Sequence, residues 1–148
     1  MSTDIEMGDY SGLEYDCFVL NEATITIGAR TAVGTQSMLV TGSHEVGDGH
    51  RRAGPPSPMP IVIGSGCWIG ARVLVLPGVT IGDGCIIGAG SMVTSYCEPH
   101  GIYMGSPAVR IRDLQPPEGP PPEARTAPTG RLGRAARQSV EAWHRLVA

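Results

Sequence analysis

The 148-residue chain carries 21 Gly and 13 Pro but a single Phe, and its 11 basic residues are all Arg. So much Gly disfavours a helical domain and suits a turn-dense β architecture, while a net charge of −3 argues against a nucleic-acid binder. No apolar run reaches the roughly 18 residues of a membrane span, and the polar start MSTDIEMGDY lacks signal-peptide character, so a soluble, cytoplasmic protein is expected.

Aliphatic residues recur at every sixth position. Met7, Leu13 and Val19 open the count, and Ile27, Val33 and Leu39 continue it in a register offset by two. After a break, Ile63, Ile69, Val75, Ile81, Ile87 and Val93 resume it. Gly follows the aliphatic at 28, 34, 64, 70, 82 and 88, with the LPG step at 76–78 as the exception. A period of six fits neither a helix nor an ordinary strand. It describes a short strand and a tight turn, repeated, which is the mark of a solenoid. Three units make a triangular coil of roughly 18 residues, and coils stack at about 4.8 Å. Two before the aliphatics stand Ile25, Thr31, Ser37, Cys67, Val73, Val79, Cys85 and Ser91. Residues i and i−2 of a strand share a face, so both positions point into a narrow core.

Cys17, Cys67, Cys85 and Cys97 are assigned to that same inward position, as small buried thiols. Cys67 and Cys85 should stack on adjacent coils, but parallel side chains in a reducing compartment argue against a disulfide. The Gly-rich IGDGCIIGAG lacks the spacing and terminal Lys of a phosphate-binding loop, and repeat turns account for its glycines.

Residues 41–60, TGSHEVGDGHRRAGPPSPMP, interrupt the count. Leu39 and Ile63 are a multiple of six apart, so a loop inserted over 43–60 leaves the solenoid and rejoins in phase. Loops of this length in a compact domain are functional or disordered. His44 opens this one, anchored by the last regular strand with its ring free to face outward. His is the commonest general base near neutral pH. Arg51, Arg52 and the prolines are expected to reach toward a neighbouring subunit and wall a cleft. Trp68, between inward Cys67 and Ile69, points outward and wants a partner.

Residues 1–114 are expected to form the repeat domain and 115–130 a Pro-rich linker. Within 131–148, Leu132, Ala136, Val140, Trp143 and Val147 have helical spacing. They describe an amphipathic helix that docks on its own or a neighbouring subunit.

The strings CFVLNEATITIG, VTGSH, PIVIGSGCWIGARVLVLPGVTIGDGCIIGAGSMVT and MGSPAVRIRDL resemble the hexapeptide-repeat acyltransferases, in the galactoside and maltose O-acetyltransferase branch. The resemblance spans roughly residues 5–114. It implies an all-β fold, a left-handed parallel β-helix, against the usual right-handed crossover, and a homotrimer with active sites between subunits. It implies acyl transfer from acetyl-CoA to a hydroxyl of a sugar or specialised small molecule, with His44 as general base, direct attack on the thioester and no metal. Trp68, Ala71, Ala89, Thr94, Ser95, Arg110 and Arg112 then fall at coenzyme-binding positions. Arg110 and Arg112 would meet the nucleotide phosphates, on one face if their strand is regular. Asp16 and Asn21 fall in the acceptor-binding segment. Ser95 stands where the family often has Lys, and PAVRIR puts Val109 at a usually basic position. His50, His100 and His144 match no functional position. The family's N-terminal helical extension has no counterpart before the first coil, which points to an acceptor outside simple galactosides.

N-acyl transfer needs the same base geometry and stays open beside O-transfer. So does a non-catalytic trimeric β-helix serving assembly or binding, which His44 argues against. A γ-type carbonic anhydrase on this fold needs three His from adjacent coils, whereas His44 and His50 share one loop.

Overall fold

The computed structural model describes residues 4–120. The chain divides into two units, Met1–Pro116 and Pro117–Ala148. Most of the expected linker and all of the expected C-terminal helix lie outside the described residues.

The first unit is a stack of three-strand coils. Coil 1 holds β1 (Ile5–Met7), β2 (Gly12–Leu13) and β3 (Phe18–Leu20); coil 2 holds β4 (Ile25–Ile27), β5 (Ala32–Val33) and β6 (Met38–Val40). Two strands then leave the stack, β7 (His44–Val46) and β8 (Ala53–Pro56). Coil 3 holds β9 (Ile61–Ile63), β10 (Trp68–Ile69) and β11 (Leu74–Val75); coil 4 holds β12 (Thr80–Ile81), β13 (Ile86–Ile87) and β14 (Met92–Val93). β15 (Gly101–Gly105) and β16 (Ala108–Asp113) close the end. Corresponding strands pair into sheet A (β1-β4-β9-β12), sheet B (β2-β5-β10-β13-β15-β16) and sheet C (β3-β6-β11-β14). The chain is a left-handed parallel β-helix with a triangular section.

The count of six builds the core. Ile27, Ile63 and Ile81 stack in sheet A, Val33, Ile69 and Ile87 in sheet B, and Leu39, Val75 and Val93 in sheet C. Each of these nine is at most 1% exposed, and burying side chains of this size contributes about 1.5–3 kcal/mol apiece. The small polar residues two positions earlier stitch the coils together. Thr31 Oγ1 donates to Gly64 O at 2.7 Å and accepts from Cys67 N–H at 3.0 Å. Ser37 Oγ donates to Gly70 O at 3.0 Å and accepts from Val73 N–H at 3.2 Å. Paired in this way, buried hydroxyls escape the penalty of desolvation.

The three departures from six fall at one edge of the prism, the corner between sheets C and A. Met7, Leu13 and Val19 pair with Ile27, Val33 and Leu39, so the offset of two is an expansion of that corner over residues 20–24. β7 and β8 leave from the same corner one coil later. In the last coil Cys97 bridges Ile81, a step two short of the repeat. This corrects two cysteine assignments. Cys97 takes the place of a counted aliphatic instead of the place two before it. Cys17 is only half-buried, because it lies in the terminal coil, which has a neighbour on one side alone.

Arg110 closes the opposite end. Its Nε donates to Asp113 Oδ1 at 2.7 Å, its Nη1 to Glu98 O at 3.0 Å and the Tyr103 hydroxyl at 2.9 Å, and its Nη2 to Pro99 O at 3.2 Å and His100 O at 3.1 Å. Five donor hydrogens thus meet five acceptors, and the Asp113 carboxylate and Tyr103 hydroxyl hold the guanidinium firmly protonated.

Candidate active site

The segment after coil 2 is ordered as an antiparallel hairpin, not an irregular loop. His44 pairs with Pro56 and Val46 with Ala53, and Gly47 N–H donates to Arg52 O at 3.0 Å. At the tip Asp48 Oδ1 accepts the backbone N–H groups of His50 (2.9 Å) and Arg51 (3.2 Å). Two glycines make the tight pairing possible. A Cβ on Gly47 would run into the carbonyl oxygen of Arg51, and one on Gly54 would stand 2.8 Å from that of Glu45.

Thr41 fixes the hairpin's root. It is fully buried, its N–H and Oγ1 donate to Leu20 O at 2.9 and 2.8 Å, and its Oγ1 accepts from Ala23 N–H at 3.0 Å. The root is thereby tied to the expanded corner of coil 1. Glu22 belongs to that corner. Its Oε2 would be 3.0 Å from a Cβ built on Gly42, two residues before His44. Sequence reasoning passed over Glu22; the available signal was the pair of extra residues that break the count just before Ile25.

His44 is exposed, and its Nδ1 lies 2.9 Å from Gly54 O. A carbonyl oxygen only accepts, so Nδ1 carries the proton and donates it. In the neutral ring that tautomer leaves the lone pair on Nε2.

The other expected site residues divide among different parts of one chain. Asn21 shares the C–A corner with Glu22, one coil below Thr41. Asp16 sits at the B–C corner, at the far end of β3, with a left-handed φ of 57°. Thr94 and Ser95 are exposed at the C–A corner after β14. Ala71 and Ala89 stack at the B–C corner, where Gly90 N–H donates to Ala71 O at 2.9 Å. Trp68 lies on the outer face of sheet B between Ala32 and Ile86, 38% exposed. In a triangular prism the C–A corner is opposite sheet B, so one chain does not bring Trp68 to His44.

Arg110 and Arg112 also separate. The register slips so that Tyr103 faces Arg110 and Ile102 faces Arg112, with Ile111 as the extra residue. A bulge breaks simple alternation, which removes the basis for placing both arginines on one face. Arg110 is committed to its cap, while Arg112 is exposed.

Burial pushes the thiols of Cys67 and Cys97 up to about 11 and about 12, the reverse of what a cysteine nucleophile needs. Among the described residues, no group of three or more His, Cys, Asp or Glu stands where it could hold a metal ion.

Stacked coils of six-residue units, interrupted once by a hairpin bearing an oriented His, define a β-helix of the hexapeptide-repeat class. Residues 60–95 match the family described as bacterial transferase hexapeptide (six repeats). Nodulation protein L of Rhizobium meliloti is 40% identical over 109 residues, 74% of this chain and 59% of that protein. A maltose O-acetyltransferase from Clostridium difficile superposes with a TM-score of 0.72 at 34% identity, over 76% of this chain and 60% of the other. The hexapeptide-repeat acetyltransferase VCA0836 from Vibrio cholerae, complexed with acetyl coenzyme A, superposes with a TM-score of 0.71 at 33% identity, over 76% and 61%. The chain spans about 60% of the length of each of these relatives. It belongs to the family of hexapeptide-repeat transferases.

Proposed function

We propose that the protein transfers an acetyl group from acetyl-CoA to a hydroxyl of a sugar or related small molecule, with His44 as general base. The observation that carries this reading is the Nδ1–H donation from His44 to Gly54 O, which leaves Nε2 as a fixed acceptor. Nε2 takes the proton of the acceptor hydroxyl as its oxygen attacks the thioester carbonyl. The new C–O bond forms, the tetrahedral oxyanion collapses, the C–S bond breaks, and the proton on Nε2 passes to the departing CoA thiolate. The oxyanion is met by a fixed backbone N–H. No covalent enzyme intermediate is needed. General base catalysis of this kind contributes about 10²–10⁴-fold.

The division of site residues supports a homotrimer with each site between two copies. His44 and Trp68 lie on opposite sides of the prism, and the Ala71–Ala89 and Thr94–Ser95 pairs lie at opposite edges of sheet C. The outer face of sheet C carries an apolar row of Phe18, Met38, Leu74 and Met92, of which Phe18 is 55% exposed; such a row wants cover. In this reading Trp68, Ala71, Ala89, Thr94 and Ser95 line the coenzyme arm, Arg112 meets the nucleotide phosphates, and Asn21 with Glu22 receives the acceptor hydroxyls. Asp16 reaches the acceptor only from a neighbouring copy. Among the described residues no helix is long and apolar enough to cross a membrane, and an acetyl-CoA donor suits the cytoplasm.

The test is thiol release from acetyl-CoA in the presence of a panel of sugars and amines, with His44→Ala alongside. Turnover by wild type, lost in the variant with CoA binding retained, supports the proposal. Equal inactivity of both with no CoA binding overturns it. Preference for amines over hydroxyls redirects it to N-transfer.

A further inference from the structure

The tip of the hairpin carries two arginines that the reaction above does not use, and Glu45 and Asp48 are the carboxylates of the same hairpin. His50, Arg51 and Arg52 occupy consecutive exposed positions. The nearby Asp48 carboxylate caps the turn through the backbone N–H groups of His50 and Arg51. Arg52 Nη1 donates to Gly47 O at 3.4 Å, a contact that steadies the side chain without neutralising it. Neither guanidinium has an ion-pair partner among the described residues. The tip is held in register with the base, because the Gly47–Arg52 bond closes the same hairpin that orients His44. Gly47 lies three residues beyond His44, about 10 Å at the usual rise of a strand.

We infer that Arg51 and Arg52 form an anion subsite for the acceptor, which is an acidic sugar carrying a carboxylate or phosphate. This rests on His44 being the base. The chemistry is graded along the hairpin: neutral and acidic acceptor groups, Asn21 and Glu22, stand at the root where hydroxyls bind, and the arginines stand at the tip. That spacing is between backbone positions, and the long reach of an Arg side chain shortens it toward the span of one sugar or of adjacent sugars. The CoA diphosphate is held off the thioester by the pantetheine arm, roughly 15 Å when extended like a peptide of similar length, and Arg112 is exposed on another element to receive it. Guanidinium forks match carboxylate and phosphate oxygens in a way that lysines do not.

The experiment uses the full chain. Transfer from acetyl-CoA is compared for D-galacturonate and D-galactose, in wild type and in Arg51→Gln/Arg52→Gln. Wild type is expected to show a KM for the acid at least about tenfold below that for the neutral sugar, a preference that fades with salt. The double variant loses that preference while its kcat on galactose, its KM for acetyl-CoA and its Tm stay unchanged. Binding of galacturonate is also measured by calorimetry without acetyl-CoA, with equal affinity expected in wild type and His44→Ala and none in the double variant. No binding, or no preference for the acid, overturns the subsite while turnover of galactose leaves the transferase reading intact. A raised KM for acetyl-CoA with the acid preference kept assigns the arginines to the coenzyme and overturns it too. Binding without turnover of any acceptor keeps the subsite and overturns the transferase reading instead.

Discussion

Nδ1 of His44 lies 2.9 Å from the carbonyl oxygen of Gly54, one residue on each strand of the hairpin. The bond selects a tautomer without any carboxylate partner. Replacing His44 with Ala removes an exposed ring, so Tm and CoA binding are expected to hold. Acetyl transfer is expected to fall by about 10²–10⁴-fold. Steady-state kinetics beside a melting curve reads both, and a variant with wild-type kcat removes His44 from the chemistry.

Gly54 is then a positioning residue with a test of its own. A methyl group there would stand 2.8 Å from Glu45 O and 3.3 Å from Gly47 N, so the strands must part and Gly54 O must move away from the ring. Gly54→Ala is expected to lower kcat roughly ten- to hundredfold while leaving the KM for acetyl-CoA where it was. An unchanged kcat would show that the carbonyl does not orient the base.

Thr41 joins the hairpin's root to coil 1, and its hydroxyl is shared between Leu20 O and Ala23 N–H. Thr41→Val keeps the volume but strips Ala23 N–H of that acceptor. The expected cost is about 1–3 kcal/mol in denaturant unfolding, with Thr41→Ser close to wild type. Equal stability of the Val and Ser variants would show that the hydroxyl is dispensable.

The two arginines of β16 should separate cleanly. Arg110→Gln strips Pro99 O of its donor and removes one donor each from Glu98 O, which keeps the Tyr103 hydroxyl, and His100 O, which keeps Leu114 N–H, so a fall in Tm is expected with little change in the KM for acetyl-CoA. Arg112→Gln is expected to do the reverse, raising that KM at constant Tm. Calorimetric melts and donor titrations of the two variants decide it. A raised KM in Arg110→Gln alone would return the phosphate role to Arg110.

The solenoid was legible because its signal is periodic: Ile63 to Val93 repeat a local rule, and each inward residue meets its like one coil away. The hairpin was not legible as a hairpin. Its pairing depends on Gly47 and Gly54 allowing backbone to approach backbone, and neither falls in a repeated pattern. Glu22 was missed for a related reason. Its place beside Gly42 arises from stacking coil 1 under coil 2 across an expanded corner, a contact between residues twenty positions apart. Alternation likewise misled at Arg110 and Arg112, since one extra residue at Ile111 undoes a period of two.

Alkaline pH should expose the thiol core. Burial lifts Cys67 from its ordinary 9.0 to about 11 and Cys97 to about 12, and Cys85 shifts the same way for the same cause. The folded state therefore binds these protons more tightly than the unfolded chain does. That stabilisation is complete below about pH 9 and is lost as pH climbs through about 11 to 12. Tm is expected to be flat with respect to these groups up to pH 8.5 and to fall beyond 9, with a shallower fall in Cys67→Ala/Cys97→Ala. At pH 8, a thiol reagent should label half-buried Cys17 first and reach the other three only on unfolding. Equal labelling rates for all four thiols in native buffer, or an alkaline limb unchanged in the double variant, would show that these thiols do not set the alkaline limit.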